Sequence, residues 1–221
     1  MLTDKTAVIT ESTSGIGLAV AQQLAAQGAN IVLHGAGDAK EIEKIRVNIE
    51  LQNDVKAYYI HADLSQAHST RQFIDQAIQL MGGVDVLVNN AYAQPSDRME
   101  TLAVEDWDQL IALNLSAVFH TTAAALSAMQ KQGWGRIINI TAGQQQSLAM
   151  ISKEAVVGLT KATGLENAGS GITCNAVWPS FVREPFVSPE QLAGAVVFLC
   201  SEAAQQITGT SLALDGGWTA C

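Results

Sequence analysis

The stretch ITESTSGIG, residues 9–17, decides the fold. The apolar run TAVI leads into it, and an apolar-periodic segment, GIGLAVAQQLAAQG, begins inside it and ends at Gly28. A strand, a tight turn and a helix in this order place backbone N–H groups at the start of the helix, where they suit an anion such as the pyrophosphate of a dinucleotide. A turn without any ligand has the same pattern, so both interpretations stay open at this point.

One residue of this turn is unexpected for a phosphate site. Glu11 stands where the first glycine of a nucleotide-binding turn would lie. Two charges 4 Å apart interact by about 4 kcal/mol at an effective dielectric constant of ~20, so a carboxylate beside a pyrophosphate is unfavourable. A side chain is also unfavourable there if the backbone needs a positive φ. We therefore expect either that this turn is not required to bind a phosphate or that the chain has a function other than nucleotide binding.

The alternation of strand and helix continues outward from this turn. Helical spacing of apolar residues appears in Ile42, Ile45 and Ile49, and again in Phe73, Ala77 and Leu80. Asp38 with Glu41 predicts a capping box, and Ser188 with Pro189 predicts the start of a last helix. Longer helical regions cover 104–132 and 147–169, and β-branched runs occupy 6–10, 30–35, 55–63, 84–90, 136–141, 172–177 and 211–217.

This order predicts an α/β fold. We expect a Rossmann-like, doubly wound parallel sheet of about seven strands with helices on both faces, because consecutive apolar positions are typical of strands that are covered on both sides. Residues 1–221 would form a single domain.

Composition restricts the function. The net charge of −9 argues against nucleic-acid binding, which needs Lys and Arg to neutralise phosphates. No apolar run approaches the ~20 residues of a membrane span, and no secretory signal opens the chain. Cys174, Cys200 and Cys221 lack metal-ligand or CxxC spacing, as expected for reduced thiols of a cytoplasmic protein. The four histidines also lack metal-ligand spacing, so we predict no metal.

Several further motifs occur together. They are ADL, NNA, NLSAVFH, GRIINIT, the lysine in SKEAVVGLTK, ITCNAVWP and DGGW. With TESTSGIG they resemble the short-chain dehydrogenase/reductase family over nearly the whole chain. Within that family the opening AVITESTSGIG, NLSAVFH and the ending ITGTSLALDGGWTA are similar to the bacterial D-3-hydroxybutyrate dehydrogenases.

The resemblance implies a nicotinamide dinucleotide across the strand ends. No Arg or Lys stands in LHGAGD, after the second strand, so a 2′-phosphate would find no cation and NAD is favoured over NADP. By resemblance the cofactor contacts would be Thr13, Ser14, Gly15 and Ile16 at the pyrophosphate and ribose, Asp63 and Leu64 at the adenine, and Asn90 and Ala91 at the adenosine ribose side, with Lys153 also a cofactor residue.

The resemblance also implies the chemistry. The family transfers a hydride with the help of a tyrosine as general acid/base, a lysine that lowers the pKa of this tyrosine, a serine on the substrate oxygen and an asparagine in a proton relay. Asn114 and Lys153 match the asparagine and the lysine. Gln94 matches a contact to the substrate carboxylate, and Gln144 roughly covers another substrate position.

The chain departs from the family at the reacting groups. Ala149 stands at the tyrosine position, four residues before Lys153, and Ala142 stands at the serine position. Tyr92 replaces the glycine of NNAG, and we expect its ring in space that the cofactor normally fills. The helical lid that follows WPSFVREPF in the family is missing. Glu11 and Tyr92 are therefore expected to weaken or abolish NAD binding.

Two hypotheses follow. The first is NAD-dependent oxidation of 3-hydroxybutyrate to acetoacetate, impaired in this chain, with Tyr92 or Ser147 as an alternative source of an oxygen near Lys153. The second is a non-catalytic family member or altered copy that acts as a scaffold or subunit without turnover. The resemblance further implies a homotetramer or homodimer in the cytoplasm. Ala155, Leu159 and Ala162 form a stripe that is either part of that interface or an ordinary core face.

Overall fold

A parallel sheet of seven strands forms the centre of the molecule. The computed structural model describes residues 2–93, 98–141, 148–179 and 187–217. The strands are β1 Thr6–Ile9, β2 Asn30–Leu33, β3 Ala57–Tyr59, β4 Val86–Asn89, β5 Gly135–Ile140, β6 Ile172–Pro179 and β7 Ser211–Leu214. Their order in the sheet is β3-β2-β1-β4-β5-β6-β7, and every neighbouring pair is parallel.

Helices cover both faces of the sheet, and each face has its own apolar core. One core joins the helices at 15–26 and 189–200 to the sheet and contains Val20, Leu24 and Val196. The other contains Phe73 and Met129, from the helices at 67–81 and 117–132. The predicted Rossmann-like class is therefore confirmed. The helices are α1 Gly15–Ala26, α2 Ala39–Asn53, α3 Ala67–Met81, α4 Val104–Ile111, α5 Ala117–Gln132, α6 Ala149–Glu166 and α7 Pro189–Cys200; a π-helical turn, Ala112–Ser116, connects α4 to α5, and a 3₁₀ turn, Glu202–Ala204, follows α7.

The local signals for helix ends hold with one exception. Ser188 and Gln191 form a complete capping box at the start of α7. At α2 only half of the predicted box forms, because Asp38 accepts from the N–H groups of Lys40 and Glu41 while the Glu41 carboxylate pairs with Lys44 instead. This first half satisfies two of the free N–H groups of the first helical turn.

Two further expectations needed correction. Leu80 does not belong to the buried face of α3, because its side chain is 50% exposed while Phe73 and Ala77 are buried. The third strand is only Ala57–Tyr59, shorter than the predicted 55–63, since β3 lies at the sheet edge and pairs on one side alone.

The helical segment Val104–Gln132 is long and apolar enough, by length and composition, to cross a membrane. Its mean hydropathy reaches 1.4 over the window that passes this test. In this fold it packs through α5 against α3, β4 and β5.

Candidate active site

The crevice at the carboxyl ends of β1 and β4 is the expected ligand site of this topology. The strand order reverses between these two strands, and open α/β sheets bind ligands at this switch point. The turn after β1 and the segment after β4 form its two walls.

Glu11 occupies the crevice. Its backbone is left-handed, with φ 48°, and its carbonyl oxygen accepts from Asn90 Nδ2 at 3.0 Å. Its carboxylate accepts a hydrogen bond from the backbone N–H of Tyr92, the third residue after β4. Burial raises the pKa of Glu11 above its ordinary value, and this hydrogen bond opposes the rise. The Asn90 side chain therefore joins the two walls of the crevice through the Glu11 backbone, and the Glu11 carboxylate lies beside the N–H of Tyr92.

Gly17 allows the turn after β1 to approach Asn90 closely, because glycine has no Cβ atom. A Cβ atom at this position would collide with the carbonyl oxygen of Glu11 and would lie 2.7 Å from Asn90 Nδ2. A glycine is therefore required at residue 17 by close approach of the backbone, as a nucleotide-binding turn demands.

His34 supports the same turn and was not singled out from the sequence. Its Nδ1 accepts from the N–H of Glu11 at 3.1 Å, and its Nε2 lies 3.0 Å from the carbonyl oxygen of Ala62. Only a neutral imidazole with the proton on Nε2 satisfies both contacts. Burial lowers the pKa of His34, with a contribution from His61, which favours this neutral form. The one available signal was a polar residue directly after a buried strand.

The predicted pyrophosphate residues lie at the start of α1. Ser14 and Gly15 are exposed, and Ile16 is half-buried. No side chain caps the helix, so its first N–H groups remain available to an anion. Thr13 instead donates from Oγ1 to the carbonyl oxygen of Ala36, which ties the turn to the segment after β2.

The remaining predicted cofactor residues differ in role. Asp63 accepts from the N–H and the hydroxyl of Ser65, which lowers its pKa, and so it shapes the loop before α3. Leu64 is buried in the core beside Phe73. Asn90 and Ala91 both donate backbone N–H groups to Thr10 Oγ1, at 2.8 and 2.9 Å, so they line the β4 wall of the crevice.

Lys153 faces an indole ring rather than a phenol. Its Nζ lies 3.2 Å from the ring centroid of Trp178, at the end of β6. Ala149, one helical turn before Lys153 in α6, is fully buried and offers only a methyl group. Burial lowers the pKa of Lys153, while Glu154 opposes that effect. Trp178 is thus a site residue that was not singled out from the sequence, although it lies in the motif ITCNAVWP at the end of a predicted strand.

Asn114 lies in the π-helical turn between α4 and α5. Its side chain makes two hydrogen bonds to the backbone of Ala93. Oδ1 accepts from the N–H of Ala93, and Nδ2 donates to the carbonyl oxygen of Ala93, each at 2.7 Å. Nδ2 also donates to Ser152 Oγ at 3.2 Å. π-Helical turns often occur at functional sites, and this one aims Asn114 at the residues beside Lys153.

A small cavity connects these groups. Tyr92, Asn114, Thr141, Ser152 and Lys153 are among its lining residues, and its volume of about 10 Å³ is what a single water needs. The Tyr92 ring therefore fills space next to Lys153, rather than only the cofactor space in which we expected it. Its hydroxyl oxygen is buried, which closes it to a substrate in this conformation.

Some predicted site residues lie outside the described residues. They are Gln94, Ala142, Gln144 and Ser147, and the family's lid position after Phe186 lies at the edge of another such segment. Their roles stay predictions.

Comparison with known proteins agrees with this geometry. Residues 5–193 match a family profile described as short chain dehydrogenase, and residues 183–219 match one described as enoyl-(acyl carrier protein) reductase. The chain is 39% identical to a D-beta-hydroxybutyrate dehydrogenase of Cupriavidus necator, with all of both chains covered. A protein of the same name from Rhizobium meliloti is 38% identical, over 98% of this chain and 99% of that one.

Solved structures give the same result. An acetoin dehydrogenase from Salmonella typhimurium superposes with a TM-score of 0.89 at 34% identity, covering 98% of this chain and 96% of that one. The fold and site thus define a Rossmann-type oxidoreductase. The chain belongs to the short-chain dehydrogenase/reductase family.

Proposed function

We propose that this chain is an NAD-dependent dehydrogenase of the 3-hydroxybutyrate type whose turnover is impaired. The observation that carries the proposal is the environment of Lys153: its ammonium group lies on the Trp178 ring, and the position one turn away holds a buried methyl group. Oxidation of a hydroxyl group requires a base to accept its proton, and a general base contributes about 10²- to 10⁴-fold in rate. Without a phenol at residue 149 this contribution is lost.

The backbone supports dinucleotide binding, although Glu11 opposes it. The uncapped start of α1 and the close approach at Gly17 both fit a pyrophosphate. Bound NAD would accept the hydride. Asp38 caps α2 at the end of the 34–38 segment, and no Arg or Lys lies in that segment, which favours NAD over its phosphorylated form. The Glu11 carboxylate lowers the affinity through charge repulsion with the pyrophosphate.

The substrate is inferred from the relatives and from the surviving side chains. Asn114 and Lys153 lie beside the carboxyl ends of β4 and β5, and Lys153 also contacts Trp178 of β6. Lys153 supplies a positive charge, and Asn114 fixes the segment at Ala93 that leads to Gln94. We assign Gln94 and Gln144 to the carboxylate of a small hydroxy acid. The alignment with the Cupriavidus protein spans 259 positions, which exceeds the 221 residues here by 38, consistent with the lost lid.

A direct assay tests this function. NADH binding is followed by its fluorescence, and oxidation of 3-hydroxybutyrate by NADH formation, with the Cupriavidus relative as the reference. We expect measurable NADH binding and turnover at least about 100-fold slower than the reference. Turnover within about tenfold of the reference would show that another group replaces the phenol and would refute the impairment.

A non-catalytic subunit is the second candidate, and the tie between Glu11 and Tyr92 across the crevice favours it. It predicts no saturable NADH binding by a folded, associated protein. Light scattering and the same fluorescence titration distinguish the two functions, because the impaired dehydrogenase still binds NADH.

A further inference from the structure

The segment of residues 34–37, between β2 and α2, is expected to contact the adenosine ribose of a bound dinucleotide, because the residues after the second strand of a Rossmann-like fold lie at that sugar. An acidic side chain usually binds the 2′-hydroxyl there. This segment has the sequence HGAG, and the next residue, Asp38, accepts from N–H groups in the first turn of α2. The 34–37 segment therefore has to contact the ribose mainly through its backbone.

The composition of this segment makes its backbone intrinsically flexible. Two of its four residues are glycines, Gly35 and Gly37, and they have φ angles of 154° and 150°, which other residues rarely adopt. Residues 35–37 belong to no strand or helix. Glycine loses more conformational freedom on ordering than any other residue, so a ligand that has to order this segment itself binds weakly. The fold must therefore order the segment beforehand if its backbone is to bind a ribose well.

Tyr59 holds the middle of the 34–37 segment. It is the last residue of β3, it pairs with Leu33 of β2, and its ring packs against the core that joins α1 and α7 to the sheet. Its hydroxyl reaches past the end of β2 and donates to the carbonyl oxygen of Gly35 at 2.7 Å. A tyrosine side chain has only two torsions, so a ring that is packed in this way holds its hydroxyl at a fixed place.

The β1–α1 turn holds the carbonyl oxygens on either side of Gly35. The N–H of Ser12 donates to the carbonyl oxygen of His34 at 2.6 Å, and Thr13 Oγ1 donates to that of Ala36 at 3.0 Å. Three successive carbonyl oxygens are thus bonded to the protein itself. No acceptor for the N–H group of residue 36 or 37 lies within the described ranges, so these two donors remain for the oxygens of a ligand.

We propose that Tyr59 is a positioning residue for the adenosine end of the cofactor and that it acts by holding the 34–37 segment through the carbonyl oxygen of Gly35. The inference rests on the dinucleotide binding proposed above. Without the Tyr59 hydroxyl the segment has more conformations, and the ligand has to select the one that fits the ribose. β3 is an edge strand, and β2 and β1 separate it from β4, so Tyr59 acts on cofactor affinity and not on the hydride-transfer step.

The affinities of Tyr59→Phe for NADH and for 5′-AMP test this role. NADH binding is followed by its fluorescence, and AMP binding by the displacement of NADH. Because both ligands contain the adenosine ribose, we expect both affinities to fall by the same factor, about three- to tenfold for one lost hydrogen bond. The KM for NAD should rise by this factor with kcat unchanged.

Tyr58→Phe is the matched control. It removes the same atom from the preceding residue of β3, whose side chain is 38% exposed and points to the other face of the sheet. Both affinities of this variant should equal those of the parent protein. Phenylalanine keeps the ring of either tyrosine, and urea unfolding checks that both variants are folded.

Three results would overturn the role of Tyr59 alone. They are parent-like affinities in Tyr59→Phe, equal losses in Tyr59→Phe and Tyr58→Phe, and a loss for NADH without a loss for AMP. A parent protein that binds neither ligand would overturn dinucleotide binding and this role together. The expected pattern of affinities in a protein without any turnover would support the role of Tyr59 and refute the dehydrogenase.

Discussion

Glu11 makes two contacts at the crevice, one through its backbone and one through its side chain. Its left-handed backbone positions the carbonyl that Asn90 contacts, and its carboxylate holds the N–H of Tyr92. A glycine would adopt this backbone without strain and would remove the anion. The carboxylate that was unexpected in the sequence thus acts as a structural tie between the two walls of the crevice.

We expect Glu11→Gly to increase NADH affinity by about tenfold or more, because both the repulsion and the side chain are removed. Glu11→Gln is the matched control, since it removes the charge and keeps the side chain, and it should give part of the gain. NADH fluorescence titration measures both variants. Equal affinity in all three proteins would show that the carboxylate does not face the pyrophosphate.

His34 should make stability depend on pH. Its folded-state pKa is lowered, so between that value and the unfolded value of about 6.5 the unfolded chain binds more protons. The contribution of His34 is therefore fully present above about pH 6.5 and is lost as the pH falls through the folded pKa. Urea unfolding at several pH values should show a steeper loss of stability below pH ~6.5 in the parent protein than in His34→Asn. Parallel curves for the two proteins would contradict this assignment; Glu11 and His61 are the titratable neighbours to consider.

Restoring the phenol should require more than one substitution. Ala149 is fully buried and Tyr92 fills space beside Lys153, so Ala149→Tyr alone should destabilise the protein by about 1–3 kcal/mol through overpacking. Combined with Tyr92→Gly and Ala142→Ser, it should raise 3-hydroxybutyrate turnover by about 100- to 10,000-fold. Ala149→Phe in the same triple background is the control, because it restores the ring without the hydroxyl. No difference between the Tyr and Phe versions would exclude the phenol as the missing group.

At the scale of elements, the β1–α1 unit depends on one glycine. The space at Gly17 is closed by backbone and by Asn90, whereas a Cβ at Gly194 in α7 would meet only Gln23 Oε1, at 4.0 Å. Gly17→Ala should therefore lower the free energy of unfolding by about 1–3 kcal/mol and weaken NADH binding. Gly194→Ala should raise it by up to about 1 kcal/mol, since alanine favours a helix interior. Thermal and urea unfolding compare the two, and equal effects would refute the close-approach argument.

Helix α6 presents different residues to the sheet and to solvent. Val156, Thr160 and Thr163 are buried, whereas Ala155 and Leu159 are half-buried and Ala162 is exposed. The stripe of Ala155, Leu159 and Ala162 is therefore not the core face of the helix. Of the two explanations left open by the sequence, the outward arrangement favours an interface.

At the scale of the whole molecule, this outward face predicts association. Phe119, Ile151 and Leu165 are exposed large side chains on α5 and α6, at 48%, 45% and 78%. Large apolar side chains that are exposed on neighbouring positions of a helix are typical of an interaction surface. We expect light scattering to show a homotetramer or homodimer, and Phe119→Ser with Leu159→Ser to shift it toward monomer. Leu51→Ser on α2, which is 80% exposed and lies on another helix, is the control and should not change the mass. A monomeric parent protein would refute this prediction.

The sequence by itself determined the class of the fold. Each strand and each helix has its own apolar spacing over neighbouring residues, so their alternation along the chain can be read directly from the sequence. It also established that no tyrosine stands at residue 149, since that is a covalent fact. Only the tertiary structure decided that Lys153 rests on Trp178 and that Glu11 reaches Tyr92. These contacts join elements that packing brings together, and no local periodicity encodes which side chains meet when two strand ends or two loops approach.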